Sequence, residues 1–130
     1  MPSTEYIPVH FDLNGGEIVI RVTNPGSPQS IAGTVDEFRQ ITELPFHTCN
    51  FDTAAPQCDL GKPEAINKHF FAVDGAVISQ HDDPPTQYRV EIKIVQDETE
   101  LARFNKPKDG PGQISDTDQY FLQKFQLVAA

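Results

Sequence analysis

The sequence predicts an all-β fold: an antiparallel β-sandwich of about eight strands with at most one short helix. Three observations predict it. Short runs in which apolar and polar residues alternate recur throughout the 130 residues, with the period of two that marks a half-buried strand. Eleven Pro and eight Gly fall between those runs, more than a helical bundle would use. Residues 69–96 hold the clearest runs of all. Within them Tyr88, Val90, Ile92 and Ile94 face one way while Arg89, Glu91 and Lys93 face the other. A small ligand-holding β-barrel would produce much the same pattern and is the alternative. Each strand has one apolar face, as a sandwich requires.

Taken in order, residues 6–13 alternate, with Ile7, Val9, Phe11 and Leu13 on one side and Tyr6, Pro8, His10 and Asp12 on the other. Asn14-Gly15-Gly16 breaks the run, and Ile18, Ile20 and Val22 resume it over residues 17–23. The two runs read as a hairpin with a Gly-containing loop. Pro8 lacks an N–H, which makes the first strand an edge strand or turns that position to solvent. Residues 24–28, NPGSP, form a turn. Residues 30–44 suit two elements. Thr34 and Glu37 have capping-box spacing, with Val35, Phe38 and Ile41 on one helical face. The same β-branched and aromatic residues suit a strand, with Gly33 as a bulge. The reading adopted is a short helix.

Pro45 ends that element, and residues 45–51 form a short strand. Residues 52–63 are a loop. Residues 69–96 read as three antiparallel strands. HFFAV and AVISQ meet at an Asp74-Gly75 hairpin turn, and a turn rich in Asp and Pro leads to the third strand. Asp97-Glu98 is a turn, residues 100–104 a strand, and residues 105–118 the longest polar loop. A final strand follows, with Phe121, Phe125 and Leu127 toward the core. No repeat or boundary divides the chain, so residues 1–130 read as a single domain.

The formal charge is -9 and the pI about 4.7. Such a surface repels phosphate backbones and anionic membranes, and the ten Lys and Arg look scattered along the sequence. Neither a nucleic acid nor a membrane is expected as a partner. The start has no basic n-region and no long apolar run. The expected location is therefore the cytoplasm, or the exterior if a signal peptide preceded this sequence and was removed.

Catalytic motifs with a known mechanism are missing: no nucleophile elbow, P-loop, dinucleotide fingerprint or His-Glu-x-x-His. His47 and Cys49 share one strand face, the local arrangement of a Cys-His nucleophile. Cys49 and Cys58 match no common zinc spacing. They could close a loop as a disulfide, or remain thiols in a reducing cytosol. His10, His47, His69 and His81 show no ligand spacing, and exposed positions on strands and turns account for them. Carboxylates cluster at Asp82-Asp83, beside His81, and at Asp116 and Asp118. Both clusters precede a strand, so one end of the sheet could gather them into an oxygen-rich Ca²⁺ site. Asx-turn hydrogen bonding explains Asp in such turns equally well. Of the tyrosines, Tyr6 points away from its strand's apolar face and is the candidate platform for a sugar.

The function these features favour is a non-catalytic binding or protein-interaction module that recognises a protein partner, a sugar or another small molecule through its end loops. Its candidate residues are His81, Asp82, Asp83, Asp116 and Asp118. No cofactor is expected beyond the calcium alternative. Edge strands also allow pairing with a second copy, as a homodimer. An enzyme with an unrecognised site and a structural assembly subunit are the competing readings.

Overall fold

Alternating apolar side chains leave the chain one way to hide them, which is to turn every strand's apolar face toward a common interior. The computed structural model describes residues 6–26, 28–79, 86–114 and 117–130. Among these, eleven strands form: β1 (Ile7–Phe11), β2 (Ile18–Thr23), β3 (Ile31–Phe38), β4 (His47–Asp52), β5 (Gln57–Gly61), β6 (Phe70–Val77), β7 (Thr86–Tyr88), β8 (Val90–Gln96), β9 (Thr99–Lys106), β10 (Gly112–Ile114) and β11 (Gln119–Ala129). One helical turn, α1 (Pro63–Ile66), lies between β5 and β6. A five-stranded sheet has the order β1-β11-β6-β3-β4 and a four-stranded sheet the order β5-β2-β8-β9, with β10 and β7 paired separately. None closes into a barrel, and the architecture is an all-β sandwich.

The core lies between the two large sheets. The larger sheet contributes Phe11, Phe71, Val73, Phe125 and Leu127, and the smaller Ile18, Ile20, Ile92 and Ile94, all buried. Phe125 stacks on Phe71 within its own sheet, at 5.2 Å between ring centroids, and on Phe104 of the facing sheet at 6.4 Å. The facing along β7 and β8 is as the alternation predicts, with Tyr88 at the end of β7 and Val90, Ile92 and Ile94 of β8 buried, although the single expected strand is split between two sheets at Arg89. In β11, Phe121, Phe125 and Leu127 likewise face inward. Asp97 and Glu98 form the expected turn between β8 and β9, both with positive φ, the geometry that suits a two-residue hairpin.

Other expected elements differ, for one recurring reason: most connections pass from one sheet to the other instead of folding back. The chain around Asn14-Gly15-Gly16 is not a hairpin. It carries β1 of the larger sheet over to β2 of the smaller. Gln96 and Asp97 hold this crossing. The Gln96 side chain accepts from the Asp12 N–H at 2.9 Å and donates to the carbonyls of Asp12 and Gly16, and Asp97 accepts from the Gly16 N–H. A Cβ on Gly15 would sit 2.5 Å from the Gln96 amide nitrogen. The chain does turn here, with the Gly15 N–H donating to the Asp12 carbonyl at 3.0 Å, but the glycines serve close approach and not a positive φ.

Asp74-Gly75 is not a turn either. It lies inside β6, one continuous strand between β3 and β11. Gly75 pairs directly with Gly33, and the rings of Phe51 and Phe121 fill the space above them. A Cβ on Gly75 would meet the Phe121 ring at 2.7 Å. Residues 69–96 therefore hold strands of different sheets, not one three-stranded unit. The predicted helix in residues 30–44 is strand β3, because tertiary pairing on both edges outweighs local capping propensity. The predicted loop of residues 52–63 contains β5, and the polar loop after β9 contains β10. The larger sheet is also mixed. β1 runs parallel to β11, with Ile7 opposite Phe125, and its edge position accommodates Pro8.

Candidate functional site

The two sheets meet along two flanks. On one, edge strands β4 and β5 are joined by a disulfide between Cys49 and Cys58. Residues 53–56 cross between them in a tight turn, in which the Asp52 carboxylate accepts from the Ala55 N–H at 2.7 Å. On the other flank, β1 covers only residues 125–129 of β11. Beyond the start of β1, the middle of β11 faces the end of β9 across a groove of about 490 Å³. β9 and the residues after it supply Arg103, Phe104, Asn105, Lys106 and Lys108. Ile7, Leu122, Gln123 and Lys124 form the opposite wall.

This groove changes the reading of the charge. The basic residues look scattered in sequence, yet four of the ten line one concavity, and among the described residues no carboxylate lines it. Arg103 is engaged from outside the groove: it donates to Glu100 at 2.8 Å and to Glu91 at 3.2 Å. Among the described residues, Lys106, Lys108 and Lys124 have no ion-pair partner. Lys124 lies over the Tyr6 ring, 5.4 Å from its centroid. Burial, and then the charge of Lys108, hold the Lys106 ammonium below the usual lysine pKa, as expected for a cation partly removed from water without a counter-ion. Ile7 and Leu122 leave about half of their surface exposed at the same place.

Of the residues picked out from the sequence, His81, Asp82, Asp83 and Asp116 lie outside the described residues. Asp118 is described, and its carboxylate accepts from the Ser79 N–H at 2.8 Å. Thr86 is the register partner of Ile114. The described residues that flank the two acidic segments therefore lie beside each other at both ends. Among the described residues, no group of three or more His, Cys, Asp or Glu is placed to hold a metal ion.

The Cys-His pairing does not arise, because the Cys49 sulfur is bonded to Cys58 and is no thiol. His10 and His47 are exposed, as expected. His69 is not. Its Nδ1 lies 2.6 Å from the carboxylate of Glu37, which is only 7% exposed, and Phe46 packs edge-on against the ring. Among the described residues no free thiol accompanies this pair. Tyr6 is no open platform either. It packs edge-on against Phe70, and burial raises its pKa. The most exposed tyrosine is Tyr120, at 73%.

Compared with known proteins, the chain matches no family model, no curated protein and no solved structure. Sequence reasoning missed the groove because its residues come from three separate stretches, 7, 103–108 and 122–124. One signal was within reach: lysines on two segments next to β-formers, 103–108 and 122–124, in a chain this acidic.

Proposed function

We propose that this chain is a non-catalytic binding module whose recognition surface is the groove between β9 and β11. One observation carries the reading: the groove gathers four cations and three apolar side chains in a chain of net charge -9. Its volume lies within the roughly 300–1,000 Å³ usual for small-molecule sites. Recognition in a cleft flanked by rigid strands needs no catalytic group, and no nucleophile–base pair faces the groove among the described residues. The test is a small-molecule mixture screened against ¹⁵N-labelled protein by NMR. Hits should shift the amides of residues 103–108 and 122–124. Hits spread evenly over the surface, or chemical turnover of any hit, would count against the module.

A second reading places recognition in the end loops carrying His81, Asp82, Asp83, Asp116 and Asp118. It is supported by the contacts Ser79–Asp118 and Thr86–Ile114, which bring the flanks of those loops together. Calcium is the candidate ion, and a protein partner or sugar the candidate ligand. A calcium ion bound only by the folded state raises the melting temperature by mass action. An unchanged melting temperature between EDTA and millimolar Ca²⁺ removes the calcium reading. The Cys49–Cys58 bond supports an oxidising compartment over the cytoplasm expected from the sequence. No helix among the described residues is long and apolar enough to cross a membrane.

A further inference from the structure

We infer that the groove between β9 and β11 takes a small anionic amphiphile: a carboxylate, sulfate or phosphate head group on a short apolar body. The inference rests on the binding-module reading and names its ligand. Both walls contribute charge, Lys106 and Lys108 from the β9 side and Lys124 from β11. Both contribute apolar surface too, Phe104 from the first and Ile7 and Leu122 from the second. A ligand that satisfies only the cations leaves the apolar wall wet, and a neutral apolar ligand leaves three lysines without a counter-ion. Only an occupant with both parts satisfies the whole lining.

Arg103 already serves two glutamates, so the head group meets ammonium groups. An ammonium is a compact point charge without the planar fork of guanidinium, which makes the site tolerant of head-group geometry. Lys106, half-buried in the groove with its pKa lowered chiefly by burial, is a cation that a counter-ion would stabilise.

A plainer explanation exists for two of these residues. A lysine on an uncovered strand edge discourages edge-to-edge pairing, and that accounts for Lys124 and for Lys106 on edge strand β9. It does not account for Lys108, which lies beyond the end of β9, or for exposed Ile7 and Leu122 in the same groove. A long polyanion is disfavoured by the rest of the surface, where the other six Lys and Arg are set among nineteen Asp and Glu. The occupant is therefore small enough to sit within the groove.

The test titrates intact ¹⁵N-labelled protein at low salt with octanoate, acetate, octyl glucoside and a short oligoglutamate peptide. Octanoate is expected to shift residues 103–108 and 122–124 and to bind about tenfold more tightly than acetate or octyl glucoside, one charge-assisted contact being worth about that factor. The Lys106→Gln/Lys124→Gln variant should lose about tenfold in octanoate affinity and keep its octyl glucoside affinity. Its amide dispersion reports whether it is folded, and Lys108→Gln, beyond the end of β9, supplies a second variant with a smaller loss. Equal groove binding of octanoate and octyl glucoside overturns the anionic inference and leaves the binding module standing. Tighter binding of oligoglutamate overturns it in favour of an acidic peptide. No groove shift with any of the four overturns it outright, and the mixture screen then decides the binding module separately.

Discussion

Along one flank of the sandwich, β4 and β5 are tied by a covalent bond and a four-residue crossing. Along the other, β9 and β11 stand apart and leave a groove lined by lysine. The two flanks face the same physical problem, since each must end two sheets whose inner faces are apolar. The first solves it by closure: Cys58 is buried and Cys49 packs against the core. The second carries like charges on both walls. Like charges a few ångströms apart repel even in high dielectric, and more strongly as water leaves. Cation-lined walls therefore resist collapsing onto each other, and the openness of this flank and its charge are one feature. A site in such a protein is better sought where the sheets fail to close than where they are sealed.

The comparison can be broken most severely from the middle. Ile92 lies in β8 and is fully buried. Ile92→Asp places an uncompensated charge in the core and should cost roughly 4 kcal/mol, enough to abolish cooperative unfolding and to erase both flanks together. Circular dichroism and amide dispersion check it, and a native-like spectrum would show the strand facing to be wrong. Next in size is the sealed flank alone. Cys49→Ser with Cys58→Ser removes a cross-link closing a short loop, and the chain-entropy relation puts the loss at roughly 3 kcal/mol. Urea denaturation of the oxidised parent and the double variant measures it. If closure and opening are separate solutions, the amide shifts of the groove should be unaffected.

The smallest effect belongs to the open flank. Lys106→Gln should alter stability at neutral pH by no more than about 0.5 kcal/mol, as for most substitutions at partly exposed positions. Its pH dependence is more telling. The Lys106 pKa is lower in the folded state than in the unfolded chain. Between that lowered value and the ordinary lysine value of about 10.4, the unfolded state holds more protons, so stability rises with pH across this window and is lost again as pH falls through it. The variant should lack that rise. Identical pH profiles for parent and variant would show that the groove wall is as wet as any surface.

How much of this was legible in the sequence follows from what each signal measures. Alternation reports which face of a strand is apolar, and it placed Ile18, Ile20, Val22, Tyr88, Ile92, Phe121 and Leu127 correctly. It does not report which sheet a strand joins. Gly15, Gly16 and Gly75 were read as turn formers because φ > 0 is the commonest local reason for Gly. Here the reason is distant in sequence: Gln96 and Asp97 press on the first two, and Phe121 and Phe51 cover the third. Glu37 looked like a capping residue, yet it faces inward to His69, thirty-two positions away. The groove was hard to read for the same reason, since it exists only once the end of β9 faces the part of β11 that β1 leaves uncovered. The Asp97-Glu98 hairpin was legible because everything that determines it is local.

One pairing also bears on the order in which the protein takes shape during synthesis. Among the described residues β1 pairs with β11 alone, and Ile7 finds its register partner at Phe125. An emerging chain therefore presents its first strand long before the ribosome delivers the strand that receives it. Such distant pairings slow folding, because chain entropy is lost before the contact forms. The waiting strand carries Val9 and Phe11, both buried in the finished protein, and their β11 neighbours are the last to be made. Losing β11 would remove the strand that β1 pairs with among the described residues and one of the two neighbours of β6. The integrity of β1 thus depends on a strand more than a hundred residues further along the chain.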